Sequence, residues 1–197
     1  GYRLVGSEMC IRDRLNPKYA EGHFNLGIIY LKKGDFDNAV HSFLSTIRIR
    51  PEDSNALNML GVAFFKKGNI KSSISYYSKA IELNPQNDKI YNNLAIAYSK
   101  SDNLEAAVLN CLKALKIDSY SFSTLFNLGR IYQQKGDLEK ALETFEKILK
   151  LKNINSLDLV FNEIGITLQK KGDFHLAIKS YLKAIKLNKN SIQTYNN

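Results

Sequence analysis

Cysteine, histidine and proline are scarce in this chain of 197 residues, and each shortage closes off some chemistry. Cys10 and Cys111 are the two cysteines, too few for a disulfide framework or a thiolate metal site, and they leave the redox compartment open. The three histidines, His23, His41 and His175, are scattered over separate segments, which offers no catalytic triad and no metal-ligand cluster. Glycines occur singly, so there is no Gly-rich phosphate loop, and no paired-carboxylate site stands out. No apolar run approaches the length needed to span a bilayer. The chain is therefore expected to hold no catalytic residue, no metal and no cofactor, and to act through a surface.

What the chain has in quantity is periodicity. Gly27, Gly61, Ala95, Gly129 and Gly165 form a ladder with steps of 34, 34, 34 and 36 residues. The rungs share a context: Asn25-Leu26-Gly27 with Tyr30, Met59-Leu60-Gly61 with Phe64, Asn93-Leu94-Ala95 with Tyr98, Asn127-Leu128-Gly129 with Tyr132, and Glu163-Ile164-Gly165 with Leu168. A period that long and regular marks a helical repeat array. In the first unit His23, Leu26, Gly27 and Tyr30 fall at i, i+3, i+4 and i+7, one face of a helix predicted over 18–33. Gly34 can end that helix in the left-handed conformation, and Asp35 can cap the next with a side-chain oxygen. The turn recurs at Gly68-Asn69, Gly136-Asp137 and Gly172-Asp173, while Asp102-Asn103 takes it without glycine. The second helix carries Ala39, Phe43 and Ile47 at helical spacing, and Pro51 stops it. Gly27 and Ala39 are expected to clear the crossing of the two helices so that ridges settle into grooves, with Tyr30 and Phe43 filling the space on either side.

These residues resemble the tetratricopeptide repeat over nearly all of positions 15–197. The resemblance implies an all-α fold, a right-handed superhelical solenoid of antiparallel helix pairs, because one pair cannot bury its own apolar faces and must stack on the next. Repeats are expected at 20–53, 54–87, 88–121, 122–157 with a two-residue insertion, and 158–191. Residues 15–19 read as the tail of a truncated upstream repeat and 192–197 as the start of a truncated sixth, so the native protein is expected to be longer. Residues 1–14 show no repeat register, and Ser7-Glu8-Met9-Cys10-Ile11-Arg12-Asp13-Arg14 looks like a translated sequencing adapter with no packed role. Between the fourth and fifth repeats, Lys152-Asn153-Ile154-Asn155-Ser156 lacks the proline that ends the first two, and Ile148 replaces a small residue. A longer loop is expected there, capped by Ser156 or a neighbour, with a local change of superhelical pitch.

The formal net charge is +9. Outside residues 1–14 the chain holds 25 basic and 17 acidic residues, a surplus of +8. Much of it falls at helix ends, as at Lys32-Lys33, Lys66-Lys67 and Lys170-Lys171, where it complements the helix dipole. Tyr30, Phe43, Phe64, Tyr77, Tyr98, Tyr132 and Phe145 take core positions of the repeat, poor places for stacking on bases, so nucleic acid is not the expected partner. Cys111 stands where other units have an aromatic ring and is expected as a buried structural thiol.

The family resemblance implies a groove lined by the first helix of each unit, through the second, fifth, sixth, ninth and twelfth positions of the repeat. Those include Phe24, Asn25, Ile28 and Leu31; Asn58, Val62 and Phe65; Asn92, Asn93 and Ile96; Phe126, Asn127 and Arg130; and Asn162, Glu163 and Ile166. Apolar strips beside recurrent amides suit an extended peptide, since an amide both donates to and accepts from a backbone. The expected function is a protein-interaction scaffold or adaptor whose partner is a protein or peptide. An alternative is the substrate-selecting repeat arm of a larger enzyme, because the amides resemble the asparagine ladder of O-linked N-acetylglucosamine transferases. That ladder is incomplete, running Asn25, Met59, Asn93, Asn127, Glu163 and Asn197. The clamp that some members use on heat-shock chaperone tails needs Lys and Asn at the fifth and ninth positions, and no unit here supplies the pair.

Overall fold

The computed structural model describes residues 17–152, 154 and 156–188. The adapter-like segment, Leu15 and Asn16 of the upstream tail, and the start of the sixth repeat with Asn197 lie outside the described residues, while residues 17–19 form the beginning of the first helix. Among the described residues every regular element is an α-helix: α1 (Pro17–Lys33), α2 (Phe36–Ile49), α3 (Ser54–Lys66), α4 (Ile70–Leu83), α5 (Asp88–Lys100), α6 (Leu104–Ile117), α7 (Phe122–Lys135), α8 (Leu138–Leu149), α9 (Leu157–Lys171) and α10 (Phe174–Leu187). They form two compact units, divided between Ser101 and Asp102. In the N-terminal unit each helix from α1 to α5 packs on the next, and α1, α3 and α5 also touch in succession. In the C-terminal unit each helix from α6 to α10 packs on the next, and α7 touches α9.

The turn inside a pair is built as the dipeptides predict. Gly136 takes φ +85°, and the Asp137 N–H behind it donates to the Tyr132 carbonyl at 2.9 Å, closing α7. Asp102 is the one described non-glycine residue with positive φ, at +62°, which a short polar side chain tolerates. Asp35, Asn69 and Asn103 then accept from the N–H groups of Asn38, Ser72 and Ala106 at 3.2, 3.0 and 3.1 Å. Asp137 and Asp173 stand at the same N-cap position but make no side-chain cap bond. Lysines draw them away: Asp137 lies 3.6 Å from Lys140, and Asp173 lies 3.9 Å from Lys171.

The helix crossing differs from the arrangement expected of two facing small residues. A Cβ on Gly129 would lie 2.5 Å from the ring of Phe145, which is fully buried. The ring therefore occupies the notch that the glycine leaves, rather than the space beside it. Gly27 meets Phe43, Gly61 meets Tyr77 and Gly165 meets Tyr181 in the same way. The one unit with alanine on this rung, Ala95, is also the unit with Cys111 in place of a ring, and both residues are fully buried. Burial pushes the Cys111 thiol up to about 12. The second aromatic row is less enclosed than expected. Tyr30, Phe64, Tyr98 and Tyr132 are only half-buried, with Phe64 stacked on Tyr76 at 5.4 Å and Lys140 lying 5.8 Å above Tyr132.

The link between α8 and α9 is longer than the others, seven residues against four for α2–α3, α4–α5 and α6–α7. Ser156 holds the N-cap position of α9 without a cap bond from its side chain. The acidic Asp158 lies in the first turn, where it complements the helix N-terminus, and accepts from Asn188 at 2.9 Å. Ile148 is fully buried in one cluster with Phe145, Val160 and Ile164, so its bulk is absorbed into the core between these helices.

Candidate polypeptide-binding faces

The successive contacts of α1, α3 and α5 make one continuous first-helix face on the N-terminal unit. Ile28, Val62 and Ile96 are half-buried along it and form its apolar strip. Asn25 is exposed, while Asn58 and Asn93 are half-buried and paired: the Asn93 Nδ2 donates to the Asn58 Oδ1 at 3.0 Å, tying α5 to α3. Phe24 leans edge-on against Phe43, with ring centroids 5.6 Å apart, and serves as inner wall more than contact surface.

On the C-terminal unit the face is formed by α7 and α9. Phe126, Asn127 and Ile166 are half-buried, and Arg130 is exposed. The Arg130 Nε lies 3.6 Å from a Glu163 carboxylate oxygen, whose side chain is only 14% exposed. Phe126 packs between Phe122, stacked at 5.6 Å, and Phe145, edge-on at 6.0 Å.

Asn92 and Asn162 were expected in the groove, but both are buried, and each has a polar partner. They hold the repeat position of Phe24, Asn58 and Phe126, which are half-buried, so burial at this position differs from one repeat to the next. A polar network that the groove pattern missed lies under Glu163. The Gln133 Nε2 donates to the Glu163 carbonyl at 3.0 Å and to the Thr167 Oγ1 at 2.6 Å, and the Thr167 hydroxyl donates to the same carbonyl at 2.7 Å. Its signal was the presence of Gln133 where the first three repeats have Leu31, Phe65 and Ser99, and of Thr167 where the first four have Ile29, Ala63, Ala97 and Ile131.

Among the described residues no group of His, Cys, Asp and Glu could hold a metal ion, and no helix is long and apolar enough to cross a membrane. His41 and His175 are exposed and His23 is half-buried.

Family models described as tetratricopeptide repeat match residues 12–54, 24–88, 88–154 and 160–191. The chain belongs to the tetratricopeptide repeat family. No curated protein matches it in sequence. Among solved structures, a MamA protein superposes with a TM-score of 0.74 at 23% identity, covering 87% of this chain and 93% of that one. MamA from Desulfovibrio magneticus RS-1 gives 0.77 at 18% identity, covering 88% and 97%. YrrB, described as a TPR protein with an unusual peptide-binding site, gives 0.70 at 16% identity, covering 88% and 89%. At these identities the likeness concerns the fold.

Proposed function

We propose that this tetratricopeptide repeat chain is a protein-interaction scaffold that receives extended polypeptide along its first-helix faces. The observation that carries the reading is the composition of those faces, where half-buried apolar side chains alternate with amides. Ile28, Val62 and Ile96 would take the side chains of a ligand, and Asn25 and Asn93 its backbone. Asn93 spends one N–H on Asn58, which holds the amide in place; its oxygen and second N–H have the valences that an extended backbone needs. Pre-setting such a group lowers the ordering cost of binding. On the C-terminal unit Phe126, Asn127, Arg130 and Ile166 offer the same mixture with a cation added. The peptide-binding site named for YrrB supports the reading by analogy of fold. Catalysis by the chain itself forms no part of it, and neither does a clamp for chaperone tails.

The test uses a peptide selected from a random library against the 197-residue chain. Asn93→Ala should weaken a peptide held on the N-terminal face, and Asn127→Ala one held on the C-terminal face, each by about twofold to tenfold, since a net hydrogen bond contributes roughly 0.5 to 1.5 kcal/mol. Circular dichroism and melting should change little. Unaltered affinity in a folded variant carrying both substitutions would move the binding site away from these faces. An affinity for nucleic acid that falls steeply with salt would replace the peptide reading with phosphate binding.

A further inference from the structure

The lysines at the ends of the first helices fall into two rows with different surroundings. Lys67, Lys135 and Lys171 each pair with an acidic residue in the first turn of the preceding second helix, Asp37, Glu105 and Glu139, and so tie consecutive repeats together. One residue earlier in the repeat, the N-terminal unit carries Lys32, Lys66 and Lys100 in the last turns of α1, α3 and α5. All three are exposed, and among the described residues none of their side chains has an ion-pair or hydrogen-bond partner. Both rows complement the helix dipole, but only the second leaves its charge without a counter-charge. Each lysine of this open row stands four residues after a member of the apolar strip, Ile28, Val62 or Ile96, hence on the same side of its helix and about 6 Å further along the axis. The carboxylates on these helices, Glu21 and Asp88, lie eleven and twelve residues before the lysines of α1 and α5, about 17 Å back along the axis, and α3 has none. Those that follow the row are engaged elsewhere: Asp35 accepts from Asn38 at 2.7 Å, Asp37 pairs with Lys67, and Asp102 accepts from Gln134 at 3.4 Å. In the C-terminal unit the same places hold Gln134 and Lys170, so the row belongs to the N-terminal face.

We propose that the polypeptide received on the N-terminal face is acidic, an extended segment in which carboxylate side chains alternate with apolar ones. This rests on the reading of that face as a groove for polypeptide and names what the groove prefers. Successive side chains of an extended chain point to opposite sides. A ligand backbone lying between strip and row therefore sends one set of side chains toward Ile28, Val62 and Ile96 and the other toward Lys32, Lys66 and Lys100. Single carboxylates suit the row, because a lysine ammonium is a compact point charge with no fixed fork to match. An aliphatic strip beside the row gives bases no ring to stack on, which favours a polypeptide over single-stranded nucleic acid. The row is distinct from the chaperone-tail clamp, whose lysine would stand where α1, α3 and α5 have Phe24, Asn58 and Asn92.

The probe is a fluorescein-labelled synthetic peptide of about ten alternating glutamates and leucines, which at about 3.3 Å per residue is long enough to cross three packed helices. It should bind the 197-residue chain more tightly than a peptide of alternating lysine and leucine or one of alternating glutamate and serine. Lys32→Gln, Lys66→Gln and Lys100→Gln should each weaken it about twofold to fivefold, the range for an exposed ion pair, and the loss should vanish in molar salt. Lys67→Gln makes the same change of charge one residue outside the row and should leave the affinity nearly unchanged. Reversing all three lysines of the row to glutamate should transfer the preference to the lysine–leucine peptide. Circular dichroism should stay native throughout, because these side chains are exposed. Equal losses from Lys66→Gln and Lys67→Gln would reduce the effect to net charge and overturn the proposal, as would an oligothymidylate that binds more tightly through the same lysines. Failure of the glutamate–leucine peptide to bind, while library-selected peptides bind and lose affinity with Asn93→Ala, would overturn the acidic preference and leave the groove standing. Insensitivity of every bound peptide to Asn93→Ala and to the row alike would remove both from the N-terminal face.

Discussion

The first-helix faces of the two units occupy the same repeat positions and carry different chemistry. Successive first helices of the N-terminal unit are tied by a neutral amide pair, Asn58 and Asn93, beside an aliphatic strip. Those of the C-terminal unit are tied by the Arg130–Glu163 ion pair, with a buried network of Gln133 and Thr167 beneath it. Underneath, both units use one framework of glycine notches filled by rings and turns closed at left-handed residues. The framework fixes where the helices sit. The face can therefore vary from unit to unit, and ligand preference becomes a local property.

The strongest challenge to that division is to fill the notch. Gly61→Leu in the N-terminal unit and Gly129→Leu in the C-terminal unit should each cost about 3 kcal/mol, the upper end for overpacking, because even a Cβ would meet a ring at 2.6 or 2.5 Å. Thermal melting of the two variants should show similar losses, and tolerance of one leucine would mean that the crossings are not alike. Alkaline titration probes Cys111, which stands where the other repeats have the ring. The Cys111 thiol is raised from its ordinary 9.0 to about 12 by burial, so it stays protonated when the unfolded thiol has ionised. Stability is then full below about pH 9 and falls as pH rises, by roughly 1.4 kcal/mol at pH 10. Cys111→Ser should flatten that part of the pH profile of denaturant unfolding.

Smaller effects separate the two faces themselves. Gln133→Ala should cost about 1 kcal/mol in urea unfolding, at the low end for a buried bond, because Thr167 still satisfies the Glu163 carbonyl. Arg130→Gln should cost less than about 1 kcal/mol, since Arg130 is largely exposed, and the loss should vanish in molar salt. Asn93→Ala, which breaks a neutral pair, should show no such salt dependence. A salt response shared by both variants would remove the contrast between the faces.

The framework was legible in the sequence because it repeats. The rung glycines, the turn dipeptides, the aromatic of the second helix and the buried Cys111 all recur at fixed offsets, and Asp102-Asn103 was readable as the glycine-free version of the turn. The longer α8–α9 link followed from the two extra residues. The failures lie where a side chain has a choice that its register does not settle. Asn92 and Asn162 are buried although Asn58, at the same repeat position, is half-buried on the face. Asp137 and Asp173 leave their caps for nearby lysines, and Ser156 sits at an N-cap without bonding it. Leu26 shares the predicted face of α1 with Gly27 but is 45% exposed, since cover for that face comes from a neighbouring pair and not from its own. The Asn58–Asn93 bond joins residues 35 apart in adjacent repeats, a contact set by stacking distance rather than by any local spacing.

The claim that the first helices receive polypeptide is tested most directly by mapping where a ligand lies. Selected peptides carrying a photoreactive group at successive positions should crosslink either to α1, α3 and α5 of the N-terminal unit, with adducts near Ile28, Val62 and Ile96, or to α7 and α9 of the C-terminal unit, near Phe126 and Ile166, with few adducts on the intervening helices. Adducts concentrated on α2, α4, α6, α8 or α10 would contradict it.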